Sequence, residues 1–261
     1  MMKIKPAKLY FLIFVALVIT LISVYVALTV FPITLDSILG PRSPDRQYLY
    51  DDFENVTYKL ELGHVSADNK WASIYTGFGT MGVAKDLENN GNHFFEEPQP
   101  PKFSNMTHSS LAITTKKYQD FDLTLDMMTV KQLRKEKPNP WETAWIVWHF
   151  TDNYHWYAFQ LKTNGIQLEK KDNDVKDDAA EIFLQTKNSS AFKLGAWNKI
   201  RILHENSYTN TPHIQIWVDK EKVFDYIDNK IPNSPKLDFG AIGLYSEDAS
   251  VRFDNVYIKP L

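Results

Sequence analysis

The sequence has no cysteine in its 261 residues, which excludes disulfide staples, thiolate nucleophiles and Cys-ligated zinc and leaves the redox compartment open. It also lacks any excess of positive charge. The formal net charge is −3, and the only charged residues among the first 31 positions are Lys3, Lys5 and Lys8, so the remainder is more negative than the total. Nucleic acid is therefore not an expected partner, because a binding surface for it would be basic. No G-x-S-x-G elbow, H-E-x-x-H helix or phosphate-binding glycine loop is present. Gly77 to Gly82 spells G-x-G-x-x-G, but it follows a strand-like run, Trp71 to Thr76, with no helix after it. Repeats of about 20 to 50 residues and long stretches of 3.6-residue periodicity are also missing.

What is there is the composition of a folded protein, with 44% hydrophobic, 14% aromatic and 23% charged residues. Leu9 to Phe31 runs for 23 residues without a charged side chain. At about 1.5 Å per residue a helix of this length crosses a hydrocarbon layer of roughly 30 Å, so the lipid bilayer is an expected partner through residues 9–31. The three lysines before it and mixed charges (Asp36, Arg42, Asp45, Arg46) after it orient it with residues 1–8 in the cytoplasm. A cleaved signal peptide fits less well, because the apolar run is too long and Tyr25 and Ala27 make a poor cleavage pair. Residues 32–47, with Pro32, Gly40, Pro41 and Pro44, suit a stalk. The expectation is a single-pass protein of the cell membrane with residues 48–261 outside.

In that outer part apolar residues alternate with polar ones over thirteen short runs bounded by turn residues. The runs include Tyr48 to Phe53, Ser110 to Thr115, Phe121 to Val130, Ala144 to Thr151, Tyr154 to Leu161, Ile166 to Lys170, Trp197 to His204 and Val251 to Ile258. With no helical crossovers between them, they predict an all-β, two-sheet antiparallel sandwich. Asp152-Asn153 and Asn164-Gly165 are hairpin signals that put three consecutive strands in a meander. Asp86 to Thr107, rich in Asn and Pro, reads as a long surface loop, and Lys170 to Glu181 as a solvated excursion.

Four stretches taken in order carry a resemblance: Tyr50-Asp51-Asp52-Phe53, Tyr118 to Leu123, Gly195 to Ile200, and Gly240 to Tyr245 followed by Phe253-Asp254-Asn255-Val256. Together, over about residues 48 to 261, the chain resembles the concanavalin A-like lectin/glucanase superfamily, and within it the laminin G-like and 3-keto-disaccharide hydrolase domains. The resemblance implies a jelly-roll sandwich of curved antiparallel sheets that binds ligands on a concave face or its rim. It does not supply an activity.

Retaining glycosidases need two carboxyls about 5 to 5.5 Å apart, and the E-x-D-x-x-E pattern of the superfamily's glucanases is absent. Asp122 and Asp126 share a strand face, but their Cα atoms are roughly 13 Å apart, and they read as solvated residues. The most unusual segment is Trp141 to Phe159, with four Trp, two Tyr, two Phe and two His. Simple alternation points Trp145, Val147 and His149 one way and Ile146, Trp148 and Phe150 the other. One set belongs to the core. The other, with Tyr154 and Trp156 or with His155 and Tyr157, forms a polar-edged aromatic platform of the kind that binds sugars, or else simply fills a wide sandwich. The candidate ligand-binding residues are Trp145, Trp148, His149, Asp152, Tyr154, Trp156 and Tyr157. His149 and His155 are poor metal ligands without a third donor. Trp71, Trp197 and Trp217 are assigned to the core.

The first and last strands of such jelly rolls lie close together, and Asp52 with Asp254 is a candidate structural calcium pair needing added carbonyl oxygens. No other cofactor is expected. N-x-S/T sequons at Asn55, Asn105 and Asn188 are candidate glycosylation sites on the external side. Three functions compete: a membrane-anchored binder of carbohydrate or another cell-envelope ligand, a glycoside hydrolase of the 3-keto-disaccharide hydrolase type, and a non-catalytic accessory subunit with a membrane-protein partner.

Overall fold

The computed structural model describes residues 44–261 except 86–90, 104, 175–180, 189–191, 207–210 and 230–232. The expected cytoplasmic tail, the membrane helix over 9–31 and most of the stalk lie outside the described residues. Among the described residues no helix is long and apolar enough to cross a membrane.

Among the described residues sixteen strands follow one another: β1 Leu49–Asp51, β2 Tyr58–Lys59, β3 Trp71–Thr76, β4 Thr80–Lys85, β5 Asn92–Glu97, β6 Ser109–Tyr118, β7 Phe121–Gln132 and β8 Ala144–Asp152. Then come β9 His155–Lys162, β10 Gly165–Asp172, β11 Ile182–Asn188, β12 Asn198–Asn206, β13 Pro212–Val218, β14 Glu221–Ile227, β15 Gly240–Glu247 and β16 Ala249–Pro260. A short 3₁₀ turn, Pro235–Leu237, precedes β15. One sheet runs β14-β13-β12-β7-β16-β5-β4-β2, with β1 added to β16; the other runs β11-β10-β9-β8-β15-β6-β3. Every pairing is antiparallel, and the first strand meets the last, Leu49 opposite Ile258.

Alternation makes the sandwich. In β7, Leu123, Leu125 and Met127 are buried while Asp122, Thr124 and Asp126 between them are partly exposed. These inner residues pack with Ile200, Ile202, Ile214 and Phe253 against Ile146, Trp148, Phe159, Leu168 and Leu244 of the other sheet. Burying such side chains contributes about 1.5–3 kcal/mol each. The meander forms as β8, β9 and β10, each hairpin turn falling one residue from the expected pair.

Some expectations are corrected. The 86–107 stretch is not one loop, since it contains β5, which pairs with β4 on one side and β16 on the other. Asp45, expected in the stalk, is tied to β6: its N–H donates to the Lys117 carbonyl at 2.6 Å and its carboxylate accepts from the Lys117 N–H at 3.0 Å. Trp71 is fully buried, as expected, but Trp197 is exposed and Trp217 lies outside the core under the Arg201 guanidinium, 4.6 Å from its ring.

Candidate functional site

The aromatic hairpin does not alternate simply. Ala241 of β15 faces Phe150 and Gly243 faces Val147, so β8 uses three steps where β15 uses two. The extra residue is a β-bulge at His149, which takes a φ of 52°, a conformation L residues seldom adopt. Gly240 passes over this point so closely that a Cβ on it would lie 2.4 Å from the His149 carbonyl carbon. The bulge exchanges the faces of two residues: His149 joins Ile146 and Trp148 inside, while Phe150 joins Trp145 and Val147 on the outer face of the seven-stranded sheet.

Trp148, His149 and Tyr157 are therefore corrected from the candidate ligand surface to the core, all three fully buried. The Trp148 indole stacks on Tyr157 at 5.6 Å and donates to His204 Nδ1 at 3.1 Å. His149 lies 2.7 and 2.8 Å from the carbonyls of Leu237 and Gln119, contacts that favour its charged form, yet burial outweighs them and lowers its pKa to about 4.

Trp145 and Trp156 remain on the outer face, where two adjoining depressions of about 210 and 310 Å³ form a groove. Trp145 belongs to both, its ring 4.9 Å from Tyr245 and its indole N–H donating to the Trp141 carbonyl at 2.8 Å. Tyr75, Phe150 and Trp156 line the first, with the Lys171 ammonium 5.2 Å from the Trp156 ring. The second sets Gln160, Gln167, Glu169, Glu181 and Glu247 among the rings of Trp141, Trp145 and Phe183. Asp152 and Tyr154 sit outside both, at the hairpin tip. Tyr154 is exposed, and Asp152 accepts from the Tyr154 N–H at 2.8 Å and holds His155 Nδ1 at 2.7 Å.

Sequence reasoning missed the acidic residues of this groove. Gln167 and Glu169 are the outward residues of a strand whose Ile166 and Leu168 point inward, and Glu247 ends β15. Gln167 donates to Glu169 Oε2 at 2.7 Å, and the Tyr245 hydroxyl bridges Ser109 Oγ at 2.9 Å and Glu247 Oε2 at 2.8 Å. Burial, followed by the negative charge of Glu181, raises the Glu169 pKa to about 8. Burial likewise lifts Glu247 to about 7, against the hydrogen bond from Tyr245. Among the described residues Gln160 Oε1 and Glu169 Oε1 are buried without a hydrogen-bond partner. Buried acceptors of this kind require a partner from outside the chain, water or ligand.

The candidate calcium pair has these hydrogen bonds. Asp52 accepts from the Tyr50 hydroxyl and the Glu54 N–H, both at 3.3 Å, and Asp254 from the Asn255 N–H at 2.7 Å. Burial first, then the charges of Asp126, Glu54 and Asp52, raise Asp254 to about 6. Among the described residues no group of three or more His, Asp or Glu side chains is placed to hold a metal ion. Asn55, Asn105 and Asn188 are all exposed.

The fold and the outer-face groove define a concanavalin A-like antiparallel sandwich. The chain belongs to the family of 3-keto-alpha-glucoside-1,2-lyase-like domains, whose sequence model matches residues 89–259. Among solved structures it is similar to the carbohydrate binding module CBM66 from Bacillus subtilis, with 14% identity, a TM-score of 0.51, and coverage of 73% of this chain and 96% of that one. It is also similar to a structure from work on the endo-acting O-glycanases that prominent members of the human gut microbiota express to initiate mucin breakdown. There the identity is 8% and the TM-score 0.50, over 82% of this chain and 98% of that one. No curated protein sequence matches it.

Proposed function

We propose that the chain is a membrane-anchored, outward-facing glycan-binding protein whose ligand lies in the groove on the outer face of the seven-stranded sheet. The observation that carries this reading is the combination within one groove of indole and phenol rings with two unpartnered buried acceptors, Gln160 Oε1 and Glu169 Oε1. Sugar C–H faces pack on Trp145, Trp156 and Tyr245, while sugar hydroxyls donate to Gln160 and hydrogen-bond to Lys171 and Glu181. The anchoring rests on the uncharged run from Leu9 to Phe31. A glycan array probed with the full chain tests the reading. Binding by the parent, lost in Lys171→Ala and Glu181→Ala, whose side chains are among the more exposed ones of the groove, while their thermal midpoints stay near the parent's, is the expected result; a parent that binds no glycan overturns it.

A second reading, cleavage of a keto-glycoside, is favoured by one specific feature: Glu169 and Glu247 carry protons near neutral pH in the same groove. A carboxyl that holds its proton at working pH is what a general acid requires. Turnover of 3-keto-glucosides by the parent, abolished in both Glu169→Gln and Glu247→Gln, would select this reading.

A further inference from the structure

Inside the sandwich lies a cluster that the groove does not use. Alternation along β10 points Lys170 inward with Ile166 and Leu168, and its side chain is fully buried. Its ammonium stands 2.8 Å from Asp228 Oδ2 and 2.6 Å from Asn233 Oδ1. The amide nitrogen of Asn233 in turn donates to the Tyr157 hydroxyl at 2.6 Å, and that hydroxyl donates to Asp228 Oδ2 at 2.6 Å. Asp228 is buried, and among the described residues its Oδ1 has no hydrogen-bond partner. The backbone holds the pieces in place: the Asp228 N–H donates to the Pro212 carbonyl at 2.8 Å and the Ser234 N–H to Asp172 Oδ2 at 2.9 Å.

A buried amine and carboxylate in contact with a half-buried carboxamide are the reactants and proton carrier of an amide exchange. We propose that Lys170 and Asn233 join in an intramolecular isopeptide bond, with Asp228 carrying the proton and ammonia leaving. Asp228 Oδ2 takes one proton from the Lys170 ammonium. A small rotation of the Asn233 amide then turns Cγ toward Nζ, whose lone pair forms the new Nζ–Cγ bond as the carbonyl electrons move onto Oδ1. The C=O re-forms as the Cγ–Nδ2 bond breaks. Of the three hydrogens of the ammonium, one stays on Nζ as the amide N–H. The other two, one of them by way of Asp228, pass to Nδ2, which leaves as ammonium; charge and atoms balance with no oxidant or co-reactant. Tyr157 holds the leaving nitrogen, and the fixed geometry supplies the high effective concentration that an uncatalysed amide exchange lacks. The product ties the segment before the 3₁₀ turn to the middle of β10 across 63 positions of sequence.

Intact mass spectrometry of the full chain, made in a bacterium without N-glycosylation so that the sequons stay unmodified, tests this directly. The expected mass is about 17 Da below that of the sequence, the mass of ammonia. Tryptic digestion should fail after Lys170 and yield a branched peptide containing both Lys170 and Asn233. Lys170→Arg and Asn233→Ala, the latter leaving the Lys170–Asp228 pair intact, should each restore the full mass. A full-length mass in the parent after prolonged incubation at neutral pH overturns the proposal. So does a mass loss that survives either variant, which would point to succinimide at Asn90-Gly91 or Asn164-Gly165, and so does a Lys170–Asp228 link formed with loss of water.

Discussion

Replacing Glu169 by glutamine should change how stability depends on pH more than it changes stability itself. Glu169 is 1% exposed and its pKa is about 8 in the folded chain, against an ordinary value of 4.5. Between these values the folded chain holds a proton that the unfolded chain releases. The unfolded state therefore binds fewer protons, and stability falls as pH rises from about 4.5 to about 8. At about 1.4 kcal/mol per pKa unit, the gap caps the loss at about 5 kcal/mol. Water entering the open groove and movement of Lys162 and Gln167 reduce the expected loss to about 2 kcal/mol. Glutamine has the shape of the protonated acid and no charge to lose, so Glu169→Gln should match the parent within about 0.5 kcal/mol near pH 5 and exceed it by about 2 kcal/mol near pH 9. His149 and His204, both lowered by burial, act with the opposite sign, losing stability as pH falls below 6.5. They are common to both proteins, as is Glu247, and cancel in the difference. Urea unfolding followed by tryptophan fluorescence at a series of pH values gives the two curves. If the difference between them is constant from about pH 5 to 9, Glu169 does not carry the proton assigned to it.

The hairpin aromatics should separate by face: Trp148→Ala should cost about 3–5 kcal/mol in urea unfolding because it empties the core, while Tyr154→Ala at the exposed tip should stay within about 0.5 kcal/mol. Gly240→Ala should destabilise by about 1–3 kcal/mol, since its Cβ would meet the His149 backbone at 2.4 Å and neither strand can yield without unmaking the bulge; an unchanged urea midpoint would refute this close approach. Protease added to intact cells making the full chain should remove the sandwich and spare a membrane-embedded stub. Protection until the membrane is opened would reverse the proposed orientation.

The strands were legible wherever period-2 patterning was clean. Phe121 to Met127 and Ile200 to His204 announce which residues turn inward, because a strand's faces follow from chain geometry alone. Ile166 to Leu168 does the same, but Lys170, expected at the start of a solvated excursion, is instead the next inward residue of β10 and is buried. β4 and β5 were not legible, because Gly77, Gly79 and Gly82 and then Asn89-Asn90-Gly91 look like turn after turn. Gly82 nevertheless sits within β4, where the Tyr58 carbonyl passes so close that a side chain would collide with it.

The sequence alone therefore determined the class of fold and the identity of the aromatic segment, which depend on local alternation and on short motifs in order, while the pairing of its ends was what the resemblance implied. Only the tertiary structure decided which aromatics face the core and which the outer side of the sheet, because one bulged residue at His149 reverses the alternation, and the bulge is set by β8's partner, with Gly240 packed against it. It alone also assembled the groove. Gln160, Glu169 and Glu247 come from β9, β10 and β15, and the proton affinity of the two acids arises from burial and neighbouring charge, properties of the packed sheet that no single strand possesses.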